Sequence, residues 1–205
     1  MTKSMTISYE IDGALYLNIT NKCPCNCTFC IRNNGDGAYG SDPLWLEHQP
    51  TFEEIKDDLE KRELSKYRQI VFCGYGEPTC ELELMKQTAE YIRSVCAVPI
   101  RVNTNGLSDL IHSRKTAPDF AGLFDIVSIS LNASTKEAYD AVTRPSFKNA
   151  DSFQAMLDFA AEVKNYVPQV MFTVVDIIGD EEIAKSQAIA DKIGIHLRVR
   201  EMITE

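Results

Sequence analysis

Two rhythms of apolar and polar positions alternate along this chain. Short runs that are apolar throughout, or apolar at every second position, occur at residues 14–20, 69–74, 99–103, 125–131, 169–176 and 195–200, and each predicts a β-strand. The stretches between carry apolar residues three and four apart, the spacing of an amphipathic helix. Thr51 with Glu54 reads as a capping box that opens a helix with Phe52, Ile55 and Leu59 on one face, and Ser134 with Glu137 reads as another. Phe153, Met156, Leu157, Ala160 and Val163 trace one face of a further helix. Ile183, Ala184, Ile189 and Ile193 trace the last, and Gly194 is placed to end it in a left-handed conformation. An additional strand at about residues 5–10 is expected to pair with the first through a turn at Asp12-Gly13. Strands and helices in strict alternation predict an α/β fold with a parallel sheet, here an open (β/α)6 partial TIM barrel forming one domain over residues 1–205.

In such folds chemistry gathers at the C-terminal ends of the strands. The fourth strand alternates cleanly, with Val127, Ile129 and Leu131 on one face and Ser128, Ser130 and Asn132 on the other, so the inner face is polar there. The sixth puts His196, Arg198 and Arg200 opposite Leu197 and Val199, which fits either a site lining or a salt-bridged edge strand. The fifth is apolar throughout and reads as buried. The second strand runs into Gly74-Tyr75-Gly76-Glu77-Pro78, and the third into Asn103-Thr104-Asn105-Gly106.

The first strand runs into Cys23-Pro24-Cys25-Asn26-Cys27-Thr28-Phe29-Cys30, four cysteines in eight residues. Cys23, Cys27 and Cys30 follow a Cys-x3-Cys-x2-Cys spacing, with Cys25 as the alternative that could replace one of them. Three thiolates on one loop can hold three irons of a cubane cluster and leave the fourth iron open for chemistry. A structural zinc site would want four ligands, commonly as two pairs, whereas Cys73, Cys80 and Cys96 are scattered. A redox pair at Cys27 and Cys30 would leave Cys23 unused. Seven cysteines make an odd count for a disulfide framework, and free thiols together with a polar N-terminus point to a reducing cytoplasm. The rest of the composition is ordinary, with 44% hydrophobic and 25% charged residues and no run long enough to span a membrane. A net charge of −9 argues against a nucleic-acid partner.

The cysteine spacing with Phe29, the segment Gly76-Glu77-Pro78, the polar fourth strand and Ile177-x-Gly179 after the fifth resemble the radical S-adenosylmethionine (radical SAM) superfamily from about residue 14 to 200. In detail the chain is most similar to the small TatD-associated radical SAM proteins. The resemblance implies that Cys23, Cys27 and Cys30 ligate a [4Fe-4S] cluster whose fourth iron is chelated by SAM. It implies that backbone at Gly74, Gly76 and Glu77 receives the SAM amino group, that Ser130 and Asn132 hold its ribose or methionine part, and that Arg144 pairs with its carboxylate. Asn103 would join these from the third strand, and the main chain at Phe29 with Ile177 would bracket adenine. The family's paired glycines stand here as Tyr75-Gly76, with Gly74 displaced by one. The implied reaction is reductive cleavage of SAM to a 5′-deoxyadenosyl radical that takes hydrogen from a substrate, with electrons from an external carrier such as flavodoxin or ferredoxin. No auxiliary-cluster domain is expected. Glycyl-radical activases, carboxy-deazaguanine synthases and a non-catalytic iron–sulfur sensor stand as alternatives. The cluster loop, residues 21–50, continues past the cysteines into a Gly-rich segment carrying Tyr39 and Trp45, which reads as a lid or substrate wall.

Overall fold

The computed structural model describes residues 2–38 and 40–201. Its strands are β1 (Ser8–Ile11), β2 (Ala14–Leu17), β3 (Ile70–Phe72), β4 (Ile100–Thr104), β5 (Ile126–Ser130), β6 (Gln169–Val175) and β7 (His196–Arg200). They form one sheet in sequence order, β1 antiparallel to β2 and β2 through β7 all parallel. Among the described residues no ladder joins β7 to β1, so the sheet curls without closing, as the alternation predicted. Asp12 and Gly13 both have positive φ (48° and 73°) between the paired Ile11 and Ala14. That is the geometry of a two-residue hairpin turn whose twist matches the strands.

The helices are α1 (Phe52–Glu60), α2 (Leu82–Val95), α3 (Ser108–His112), α4 (Lys136–Thr143), α5 (Ser152–Val163) and α6 (Asp180–Ile193). Thr51 and Glu54 form both bonds of a capping box at α1. Gly194 ends α6 at φ 78°. The α4 cap differs from expectation. Thr135, not Ser134, accepts from the Ala138 amide, because the Ser134 hydroxyl and amide are both drawn to Glu182 at the start of α6. Position 134 thus ties the end of β5 to α6 rather than starting a helix.

The main core lies between the outer sheet face and the helices. Leu15, Leu17, Ile70, Phe72, Val102, Val127, Ile129 and Phe172 meet Ile55, Met85, Ile92, Phe120, Met156 and Phe159. Phe120 packs its ring 5.2 Å from Phe124 and 5.6 Å from Phe159, and burying each such side chain contributes about 1.5–3 kcal/mol. A second, smaller cluster of Tyr9, Ala38, Leu44 and Tyr75 forms apart from the first, and Ile11, Tyr16, Ile31 and Trp45 pack against it. It exists because residues 31–50 fold back onto the sheet. The buried Asn18 amide nitrogen donates to Thr6 and Leu44 carbonyls (3.1 and 2.8 Å), and its oxygen accepts from the Tyr75 amide. Asn21 brackets Leu46 by bonding both its N–H and its C=O. The Tyr75 hydroxyl donates to the Gly35 and Gly37 carbonyls, and its ring meets Trp45 edge-on at 5.1 Å.

Candidate functional site

A cavity of about 850 Å³ occupies the inner side of the sheet. Its lining runs from Asp12, Tyr16 and Arg101 at the N-terminal ends of the strands to Asn105, Asn132 and the cysteine loop at the C-terminal ends. The strand alternation decides this. Ile100 and Val102 face the helices, so Arg101 and Asn103 face inward, and the same rule turns Ser128 and Ser130 of β5 and Thr173 of β6 into the cavity.

The cysteine loop is held from outside by the end of α4. The Asn26 amide donates to Thr143 and Arg144 carbonyls, the Thr28 amide to Val142, and the Ser146 amide to Pro24, with Cys25 bridged to Pro145. This short ladder fixes the backbone on which Cys23, Cys27, Phe29 and Cys30 all face the cavity. All the described cysteines are free thiols. Cys25 is buried between Cys23 and Cys27. The single Cys25 S–H, shared between its neighbours, lowers the pKa of both, against the burial that opposes their ionisation, and the Arg32 charge helps. The same sharing, with burial, pushes Cys25 strongly upward. Arg32 donates from Nε to Cys30 Sγ at 3.2 Å and from Nη2 to the Cys25 carbonyl at 3.3 Å, and lies 5.7 Å from the Trp45 ring centroid. Two easily ionised thiols and a cation at the third make a set suited to soft-metal ligation, which requires thiolates. Among the described residues no three metal-binding side chains converge tightly enough for a single ion.

The Gly74–Pro78 turn is built by close approach. A Cβ on Gly74 would lie 2.1 Å from the Asn18 side-chain oxygen, and one on Gly76 would lie 2.2 Å from the Thr20 carbonyl, so neither position admits a side chain. Glu77 is almost fully buried. One carboxylate oxygen accepts from the Thr79 amide (3.1 Å), Thr79 Oγ1 (2.7 Å) and Thr104 Oγ1 (2.7 Å), and the other from the Asn105 amide (2.7 Å). Burial raises its pKa, and the bonds from Asn105, Thr104 and Thr79 pull the other way. Its own amide donates to the Lys22 carbonyl. Glu77 therefore joins the ends of β3 and β4 to the start of the cysteine loop.

Of the residues singled out in the sequence, Cys23, Cys27, Cys30, Phe29, Gly74, Glu77, Asn103, Ser130 and Asn132 line the cavity. Gly76 packs beneath it against Thr20, Arg144 lies behind the cysteine loop as the left-handed cap of α4, and Ile177 sits in an exposed turn after β6. Val175, two residues before Ile177, lines the cavity instead. Ile31, Ala38 and Leu44 make an apolar stretch of its wall. Trp45 buttresses that wall from behind, and Tyr39 lies outside the described residues. Cys80 does not line the cavity, and burial pushes its thiol up to about 12. The sequence reading passed over Asn18, Tyr75, Arg101 and Cys73. Only for Arg101 did the sequence hold a signal, a lone cation between apolar neighbours in a strand. Two orphaned acceptors mark the lining. The side-chain oxygens of Asn103 and Asn132 are shielded from solvent and accept no hydrogen bond, a condition that a ligand bearing N–H or O–H groups would relieve.

A family model described as the radical SAM superfamily matches residues 17–188. Over 95 residues, 46% of this chain, the sequence is 32% identical to a Pyrococcus furiosus protein described as the tungsten-containing aldehyde ferredoxin oxidoreductase cofactor-modifying protein. Crystal structures of SuiB from Streptococcus suis, alone and bound to S-adenosylmethionine, share the fold at a TM-score of 0.62 with 12% identity. These alignments cover 88% and 91% of this chain but 37% and 38% of SuiB, and the Pyrococcus furiosus alignment covers 25% of that protein.

Proposed function

Because the chain belongs to the radical SAM superfamily, we propose that Cys23, Cys27 and Cys30 hold a [4Fe-4S] cluster and that S-adenosylmethionine binds beside it, in the part of the cavity nearest the cysteine loop. One observation carries the reading. The four thiols of one loop, Cys23, Cys27 and Cys30 among them, line a single cavity that also presents the unpartnered acceptors of Asn132 and Asn103. When bound, the cluster and SAM supply one-electron cleavage of a sulfonium and a 5′-deoxyadenosyl radical that abstracts hydrogen. The chain's own part is positional. The strap from Pro24 to Thr28 onto residues 142–146 sets the thiols. Glu77 holds the turn whose backbone faces the SAM amino group, and Asn132, at φ 64°, aims its amide inward from the end of β5. Ser130 offers a hydroxyl to the ribose or methionine part. On this reading Phe29 and Val175 flank the adenine, with Ile177 at the rim, and Arg144 serves first through its carbonyl on the cluster loop. The apolar wall of Ile31, Ala38 and Leu44 keeps water from the reacting hydrogen. The electron comes from an external one-electron carrier.

Anaerobic reconstitution tests this. The expected product is a brown protein with about four irons per chain, whose reduced-state electron paramagnetic resonance spectrum changes when SAM is added. A spectrum indifferent to saturating SAM would refute the reading.

A further inference from the structure

We propose that the cavity holds an anion site, in which Arg101 on its floor, with Arg198 and Arg200 lining the same cavity from β7, receives a carboxylate or phosphate group of the substrate. This rests on reading the cavity as the radical SAM active site.

Arg101 lies on the inner face of β4 between the buried Ile100 and Val102. Its Nε is shielded from solvent and has no hydrogen-bond partner. A buried guanidinium donor left without an acceptor is costly unless something supplies one. Arg198 and Arg200 line the same cavity. Tyr16 and Cys73, which line the same cavity, feel these charges from both strands: Arg101 and Arg198 at the Tyr16 hydroxyl, Arg101 and Arg200 at the Cys73 thiol. The chain carries 30 acidic against 21 basic residues, so acidic partners are plentiful. Arg62, Arg93 and Arg114 all find them. Among the described residues none lies within ion-pair distance of Arg101, Arg198 or Arg200. The acids that share the cavity are Asp12, Glu77 and Glu201. Both oxygens of Glu77 are committed to Thr79, Thr104 and Asn105, and neither Asp12 nor Glu201 reaches the three arginines. A cavity with three arginines that no described acidic residue pairs, in an acidic protein, is built to attract a negative group.

Depth separates Arg101 from SAM, whereas Arg198 and Arg200, in register with Thr173 and Val175, stand higher on the wall. Arg101 precedes Thr104 by three residues, so at about 3.3 Å per residue it lies roughly 10 Å below the strand end where Glu77 and the cysteine loop meet. An anion on Arg101 is therefore a different group from one held beside the thiols.

The test uses the anaerobically reconstituted protein titrated with inorganic phosphate and, separately, malonate. Ionic strength is held constant with chloride, and binding is read as a rise in unfolding temperature and by calorimetry. At least one of the two anions should bind saturably, and which one binds more tightly assigns phosphate or carboxylate. Arg101→Gln should weaken that binding at least tenfold, and Arg198→Gln and Arg200→Gln by several-fold, with the SAM-induced spectral change kept. Should Arg101→Gln fail to fold, Arg101→Lys and the two β7 variants carry the test. Unchanged anion affinity in all the folded variants, or no anion binding above chloride in the wild type, would overturn the proposal. A wild-type cluster indifferent to SAM would instead defeat the parent reading, whatever the anions did.

Discussion

Glu77→Ala should destabilise the protein well beyond an ordinary surface substitution. The carboxylate takes four hydrogen bonds, two from threonine hydroxyls and two from backbone amides. The hydroxyls of Thr79 and Thr104 can rotate to other acceptors. The amides of Thr79 and Asn105 cannot, and each buried donor left without a partner costs about 1–3 kcal/mol. Part of that loss is offset, because truncation also relieves the burial that raises the Glu77 pKa. The net at neutral pH should be about 2–4 kcal/mol. For a chain of this length that lowers the melting temperature by roughly 5–15 °C. Urea unfolding of the thiol-reduced protein followed by circular dichroism reads it directly. The pH dependence has a definite sign. The folded-state pKa lies above the unfolded value of about 4.5, so the native state binds more protons between the two. The stability of wild type relative to Glu77→Gln is then highest below the unfolded pKa and falls as pH rises through the folded one. A loss under about 0.5 kcal/mol in Glu77→Ala, or a wild-type advantage that grows with pH in that window, would refute the role given to Glu77.

Cys23→Ala, Cys27→Ala and Cys30→Ala should each abolish an intact cluster, measured as iron and sulfide per chain, whereas Cys25→Ala should largely keep it. The reverse pattern for Cys23 and Cys25 would reassign the ligands. Asn132→Gly preserves the left-handed backbone while removing the amide, and should weaken SAM binding about tenfold, the loss of one good hydrogen bond, with iron content unchanged. Tyr75→Phe removes the hydroxyl that holds Gly35 and Gly37, and should release the 31–50 segment by about 1–2 kcal/mol. Limited proteolysis should then cut there several-fold faster, and equal cutting rates would contradict the anchoring.

The strands were legible because each is short, bounded and patterned on two faces. The inward positions Ser128, Ser130 and Asn132 declared themselves through strict alternation with Val127, Ile129 and Leu131. Cluster chemistry was legible because three spaced cysteines are a local signal. What stayed hidden depends on contacts distant in sequence. Asn18 and Tyr75 bind each other across 57 positions and bind Leu44, Gly35 and Gly37 across 26 to 40, which no local pattern encodes. Ser134 looked like a cap because a Ser-x-x-Glu spacing was present, but its partner is Glu182, 48 residues on. Arg198 and Arg200 were equally compatible with an edge strand and a lining. Only the curl of the sheet, which turns the β7 inner face toward β4, distinguishes the two.

The most direct test of the account is anaerobic incubation of the reconstituted protein with SAM and dithionite. It should yield 5′-deoxyadenosine and methionine in equal amounts, and the Cys23→Ala protein should yield neither. A reduced, four-iron protein that leaves SAM intact, or equal cleavage without Cys23, would contradict it.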